Sequence, residues 1–399
     1  MTDESEAEAL GLARGLRTST DGVGHVRVVT PLGGVVDIGP DGFAILSLFA
    51  RARTVADALD ALAGLPEPRP DEAPAAMVIE SLVEAGAIVP VADAGDVWGW
   101  TDPAEHARML DDSRRTDAFV AAVRQTVRPD DVVLDIGTGS GILAITAALA
   151  GARHVYAVEA SDIAAIAEEA VAANGVADRV TVLRDWSTRV ELPERAGVLV
   201  SEVIGADPLE EDLLATTLDA RRRLLRPDAT LIPQRLELLV QPVTVAQVNR
   251  WASRIEPTSV ASWRRAYGVD LSVLWASRRQ VPLQWTVEGM TAARWPVLAP
   301  RTTVADIDLR TLEHDWVEAK TEVIIEQPGT VDALIFTFTA RLTDEISLPG
   351  PPWADEPSSW DTSVWVLPEA IAVGSGDLLD VRYRFGKPGT VDGLSCTLR

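Results

Sequence analysis

Three glycines close the apolar run Val132-Val-Leu-Asp135-Ile-Gly137-Thr-Gly139-Ser-Gly141, and the helix-forming stretch Ile142-Leu-Ala-Ile-Thr-Ala-Ala-Leu-Ala150 follows at once. Glycine lets a backbone turn sharply and approach a ligand, and the free amides that open the next helix attract an anionic group. A second apolar run, His154-Val-Tyr-Ala-Val-Glu159, ends in an acid able to accept hydrogen bonds from ribose hydroxyls. Together these residues describe a site for an adenosine-type cofactor. A dinucleotide site uses the same physics, but its fingerprint spaces the last two glycines further apart and does not need the acid at Asp135.

The pattern resembles the first motif of the class I methyltransferases. That likeness implies S-adenosylmethionine as cofactor, with Asp135, Gly137, Gly139 and Glu159 around it. A more specific likeness begins where the strand Val198-Leu-Val200 ends, at Ser201-Glu202-Val-Ile-Gly205-Ala-Asp-Pro-Leu-Glu210-Glu211. This segment resembles the double-glutamate loop of the protein arginine methyltransferases, and Glu202 and Glu211 match its two acids. Glu211 fits better than its neighbour Glu210, because the Leu and Ala-Arg pattern of the following helix keeps that alignment.

A guanidinium is planar, always charged, and carries its donors in a fork that matches carboxylates. Two acids can hold it, draw its charge away from one nitrogen, and aim that nitrogen at a methyl sulfonium. Positioning and electrostatics then do most of the catalysis. The same resemblance assigns Arg115 to the cofactor's methionine carboxylate and places His106 and Met109 along its reactive end. It leaves Ser187 or Thr188 for the adenine, in a position where the family often has an acid. It also reads Trp263-Arg-Arg-Ala-Tyr267-Gly268-Val-Asp270-Leu-Ser272 as part of a dimerisation arm spanning about 245–275, which implies a homodimer. One departure stands out: Pro357-Ser358-Ser359-Trp360 keeps the tryptophan of the family's Thr-His-Trp, but Ser359 replaces the histidine that steadies the first helix and the substrate pocket. That change leaves open a carboxylate, hydroxyl or backbone nitrogen as methyl acceptor; a non-catalytic peptide-binding scaffold on a degenerate methyltransferase fold is a further reading, against which the complete glycine loop, Glu159, Arg115 and both loop glutamates speak.

The elements that must carry these residues are legible as well. From 117 to about 232, helices alternate with apolar strands, the signature of a parallel α/β sheet. Beyond Pro233 the chain turns to alternating strands such as Arg235-Leu-Glu-Leu-Leu-Val-Gln-Pro242 and Ala333-Leu-Ile-Phe-Thr-Phe-Thr-Ala-Arg-Leu342, which predict a β-barrel or sandwich. Ahead of both, two strands (25–30 and 34–38, joined at Pro31-Leu-Gly), three helices (41–49, 54–62 with a Thr54/Asp57 cap, and about 74–85) and a strand (87–91) describe a small winged helix. It resembles the PqqD-like peptide-recognition domains over about residues 15–92. Such domains add a leader peptide to a sheet edge, here Val35 to Ile38, with Met77 and Ser81 across the groove. A DNA-binding winged helix or a mere packing domain has the same outline, but Glu80 and Glu84 are poor neighbours for phosphate. The expected fold is thus a winged-helix PqqD-like domain (1–92), a Rossmann-like α/β methyltransferase domain (93–232, opening with a linker at 92–100) and a β-barrel domain (233–399). The expected partner is a ribosomally made precursor peptide, its leader bound by residues about 25–91.

Composition narrows the classes further. In 399 residues with a formal charge of −24, nucleic-acid backbones make poor partners and cationic ones good partners. Cys396 is the lone cysteine and the four histidines (His25, His106, His154, His314) are scattered, so neither a disulfide nor a metal centre is expected. No apolar run approaches a membrane span, and the acidic first residues lack a secretory pattern, which predicts a cytoplasmic protein.

Overall fold

The computed structural model describes residues 10–12, 17–20, 26–29, 35–38, 45–46, 48–49, 54–63, 72–90, 102–246, 257–273, 283–355, 357–387 and 393–399. The turn at Pro31, residues 41–44 of the first predicted helix and the linker at 92–100 lie outside them. The chain divides into two units, Met1–Pro103 and Ala104–Arg399.

In the first unit, the predicted strands form as β3 (Val26–Val29) and β4 (Val35–Ile38), paired antiparallel with Val28 opposite Val36. β2 (Arg17–Thr20), too polar to read as a strand from sequence, joins on the other side of β3. β1 (Leu10–Leu12) pairs antiparallel with β5 (Ile88–Pro90). The capping box is real: Thr54 Oγ1 donates to Asp57 Oδ2 at 2.8 Å and accepts the Asp57 N–H at 3.1 Å, opening helix α1 (Val55–Ala63). Helix α2 (Glu72–Glu84) buries Ala75, Ile79 and Leu82 against Val28, Ile45 and Phe49. Its other face leaves Met77 70% exposed. Among the described strands, β4 ends its sheet, in the order β2-β3-β4.

The second unit opens within α3 (Pro103–Asp111), from Ala104 on, and continues into α4 (Ser113–Thr126); the two are broken at Asp112, whose carboxylate caps α4 by accepting the Arg115 N–H at 3.2 Å. Five parallel strands follow: β6 (Val132–Ile136), β7 (His154–Glu159), β8 (Val180–Arg184), β9 (Ala196–Ser201) and β10 (Leu225–Ile232). β6 and β9 are buried at every residue, which requires helices on both sheet faces; α5 (Ile142–Leu149), α6 (Ala164–Ala173) and α7 (Leu213–Arg223) are among them. The order β10-β9-β6-β7-β8 reverses direction between β6 and β9. Ligands of open α/β sheets sit at such a switch, beyond the carboxyl ends of the strands.

The predicted β domain consists of an antiparallel sheet of β12 (Leu283–Val287), β17 (Thr362–Val373), β15 (Gly329–Arg341), β11 (Arg235–Val243) and β13 (Thr302–Asp308), with β16 (Ser347–Pro349) beside β15. A second antiparallel sheet holds β14 (Val317–Ile324), β18 (Leu378–Phe385) and β19 (Gly393–Leu398). Phe336 and Tyr383, one from each sheet, meet with ring centroids 4.7 Å apart in a core continuous with that of the α/β sheet. In the stretch assigned to the arm, helix α8 (Pro257–Tyr267) forms and Tyr267, Val269 and Val273 are exposed; residues 247–256 lie outside the described residues.

Candidate active site

The switch point puts the two sequence motifs side by side. Ile136 of β6 pairs with Ser201 of β9, so Gly137 and Glu202 leave adjacent strands at the same level. Gly137 (φ +75°) must be glycine twice over: the backbone is left-handed, and a Cβ there would stand 2.7 Å from Val203 Cγ1. The next glycine shows where His106 lies, since a Cβ on Gly139 would be 3.0 Å from the imidazole Cε1. His106 itself is buried. Met109, one turn on, accepts at its carbonyl from Arg115 Nη1 (3.3 Å) and Thr116 Oγ1 (3.1 Å).

Glu159, at the end of β7, reaches the glycine loop. Its Oε2 accepts the Gly139 N–H and its Oε1 the Ser161 N–H, both at 2.9 Å. Each oxygen keeps a lone pair for a ribose hydroxyl. Asp135 points inward and accepts from Thr138 Oγ1 at 2.6 Å. Burial, aided by the nearby Glu159 charge, pushes its pKa up to about 7. Ser187 and Thr188 follow β8 at the same carboxyl edge; Ser187 is buried and its carbonyl accepts from Arg223 Nη2 at 2.9 Å, whereas Thr188 is exposed.

Arg115 is the centre of charge. It forms an ion pair with Glu202, and its guanidinium carbon lies 5.4 Å from the centre of the Trp360 ring. Burial lowers its pKa to about 10, while Asp112 and then Glu211 oppose that shift. The cation therefore persists at neutral pH, with both acids of the loop acting on it. Its Nε is buried without a hydrogen-bond partner, a donor suited to a ligand carboxylate. Glu210, by contrast, is exposed and folds back to accept the Asp207 N–H at 3.2 Å, a local role that separates it from Glu211.

Sequence reasoning missed how Ser359 works. Asp112 Oδ2 accepts the Ser359 N–H at 2.7 Å, Ser359 Oγ at 3.0 Å and Ser358 Oγ at 3.3 Å. The cap of Arg115's helix is thus tied to the β domain without a histidine. Trp360 adds a second tie, its Nε1 donating to the Ile204 carbonyl at 2.6 Å. Among the described residues no group of His, Cys, Asp or Glu could hold a metal ion, and no helix is long and apolar enough to cross a membrane.

A parallel sheet in this order, with a glycine loop and an acid at the end of the next strand, defines a Rossmann-like methyltransferase fold. The family model described as ribosomal protein L11 methyltransferase (PrmA) matches residues 114–232. Protein arginine N-methyltransferase PRMT10 of Oryza sativa subsp. japonica is 31% identical over 306 residues, 69% of this chain and 78% of the relative. Probable protein arginine N-methyltransferase 6 of Arabidopsis thaliana is 31% identical over 250 residues, 61% of this chain and 55% of the relative. Among solved structures, the Trypanosoma brucei PRMT1 enzyme-prozyme heterotetrameric complex with AdoHcy superposes with a TM-score of 0.64 at 26% identity, covering 75% of this chain and 94% of that one. The Arabidopsis thaliana protein arginine methyltransferase 10 structure has the same fold, with a TM-score of 0.58 at 22% identity over 75% of this chain and 98% of that one. The chain belongs to the protein arginine N-methyltransferase family. It spans little more than half the length of the first curated relatives it matches, 55% and 53%.

Proposed function

We propose that this protein transfers a methyl group from S-adenosylmethionine to a guanidino nitrogen of an arginine in a peptide. The observation that carries the reading is the ion pair of Glu202 with a guanidinium, that of Arg115, beside the glycine loop, with the charge of Glu211 also favouring that cation. Charge and fork geometry that suit a resident arginine also suit an incoming one.

The cofactor residues fit their assigned ligand. Arg115 Nε, buried and unpartnered, would meet the methionine carboxylate; Glu159 would take the ribose hydroxyls; the glycine loop would let the backbone come close. His106 and Met109 would line the reactive end, and Ser187 or Thr188 the adenine. When bound, the cofactor supplies an electrophilic methyl on a sulfonium. Glu202 and Glu211 hold the guanidinium by charge-assisted bonds and keep its charge on the nitrogens they touch, so that the remaining nitrogen presents its electron pair. The methylated nitrogen sheds a proton as the guanidinium re-forms, and little base strength is needed. The bonds from Ser358 and Ser359 to Asp112 supply the steadying that the family's histidine would give, which favours arginine over other acceptors.

The first unit we assign to peptide capture. The side of β4 that pairs with none of the described strands would accept the leader of a precursor peptide as an added strand, and exposed Met77 would contact its side chains. Tethering then raises the concentration of the core arginine at the catalytic unit. The exposed Tyr267, Val269 and Val273 support a homodimer through the arm. Mass spectrometry of an arginine-containing peptide, encoded beside this gene and incubated with enzyme and S-adenosylmethionine, tests the reading. A gain of one methyl mass on arginine, abolished in Glu202→Gln and Glu211→Gln, is expected. Methylation elsewhere, or full activity in both variants, overturns it. Met77→Glu should weaken leader binding without affecting methylation of a leaderless peptide.

A further inference from the structure

Glu202 follows the last residue of β9, so the sheet sets its position. Glu211 lies at the far end of the loop, two residues ahead of α7, which anchors it from the helix side only. Something else must fix the separation of the two acids. Leu209 is fully buried and holds the loop to the core. The polar contacts of the loop are more telling. Asp207, only 5% exposed, turns its carboxylate toward the β domain, where Oδ2 accepts from Gln284 Nε2 of β12 at 2.9 Å. The same Nε2 lies 3.3 Å from Ser363 Oγ on β17, the strand paired with β12. On its other side Asp207 closes a tight turn: the Glu210 N–H donates to the Asp207 carbonyl at 3.1 Å, and the Asp207 N–H to Glu210 Oε1 at 3.2 Å. Glu211 is the next residue.

We infer that Asp207 and Gln284 form a clamp that positions Glu211 opposite Glu202, making Asp207 and Gln284 positioning residues for methyl transfer. The inference rests on the reading of Glu202 and Glu211 given above. Its chemistry is a directional hydrogen bond between a buried carboxyl oxygen and a side-chain amide. The two partners come from different layers of the molecule, so the bond transmits the place of the β domain to the loop. Because the two acids matter in the transition state more than in cofactor binding, a displaced Glu211 lowers turnover and spares cofactor affinity.

The test uses the full-length protein in five forms: wild type, Asp207→Ala, Gln284→Ala, Asp207→Ala/Gln284→Ala and the exchange Asp207→Asn/Gln284→Glu. The exchange keeps the net charge and lets the bond re-form with donor and acceptor reversed. Both single alanine variants should lower kcat on the arginine peptide by about tenfold or more, as small misplacements do, with AdoHcy affinity by calorimetry and Tm near wild type. The double alanine variant should be no worse than the poorer single one, and the exchange should recover most of the loss. Backbone hydrogen exchange over residues 203–212 should quicken in the alanine variants and slow again in the exchange variant. Unchanged kcat in Asp207→Ala, loss of AdoHcy affinity in step with kcat, or an exchange variant as poor as the alanines overturns the clamp. If the wild type itself methylates no arginine, the functional reading fails instead, and the hydrogen-exchange arm still decides the clamp.

Discussion

Arg115 forms an ion pair with Glu202, so the residue assigned to the cofactor's carboxylate is joined to one of the two acids assigned to the substrate. Removing either partner leaves a buried charge exposed to the other's absence. Glu202→Gln should cut methyl transfer by about a hundredfold or more, the usual cost of losing an electrostatic contact made in the transition state. Its AdoHcy affinity should stay within a few-fold of wild type. Arg115→Ala should weaken AdoHcy strongly, and the double variant should fall short of additivity. A methyl-transfer assay checks the first, calorimetric titration with AdoHcy checks the three affinities, and strict additivity would show the pair to be uncoupled.

Asp112 and Ser359 should not be equal in their effects. Asp112→Ala removes a helix cap and every bond from the 358–359 segment, so it should cost at least the ~1 kcal/mol typical of a lost cap. Ser359→Ala keeps the backbone N–H bond to Asp112 and should cost less. Urea denaturation of both variants gives the ranking, and a larger loss for Ser359→Ala would contradict it.

Asp135 supplies a pH dependence. Its folded pKa, about 7, lies above the roughly 3.9 of an unfolded aspartate, so the folded chain holds a proton that the unfolded chain has released. That stabilisation is complete below the unfolded value and is lost as pH rises through about 7. Asp135→Asn should therefore flatten the decline of Tm between about pH 4 and 7. An unchanged profile would remove Asp135 as its source.

Cys396 is half-buried in β19, and burial, with Asp380 close by, pushes its thiol up to about 12. The thiolate is the reactive form. At pH 8 the native protein should react with iodoacetamide far more slowly than the same chain in denaturant. Equal rates would overturn the assignment.

The parts of the site that were readable in sequence are those carried by short-range patterns. Gly137, Gly139 and Glu202 sit just past an apolar strand, and Glu159 ends one, so the residues themselves mark where each strand stops. The Thr54/Asp57 cap is legible for the same reason, both partners lying within one helical turn. The ties that hold these motifs in place join residues far apart in the chain: Ser359 to Asp112 across 247 positions, Gln284 to Asp207 across 77. Nothing in the spacing announces them, because only the folded β domain brings them together. β1 was missed likewise, since its partner β5 lies near the opposite end of the unit.

The pairing of Ile136 with Ser201 makes the sheet a ruler. Neighbouring strands keep a spacing of about 4.8 Å, so the glycine loop after β6 and Glu202 after β9 inherit a backbone distance that side-chain substitutions leave untouched. A one-residue slip of β9 would turn Glu202 to the other face of the sheet and abolish the site outright. Loops and side chains around such a pair are open to change, while the gauge between the glycine loop and Glu202 is held by main-chain hydrogen bonds.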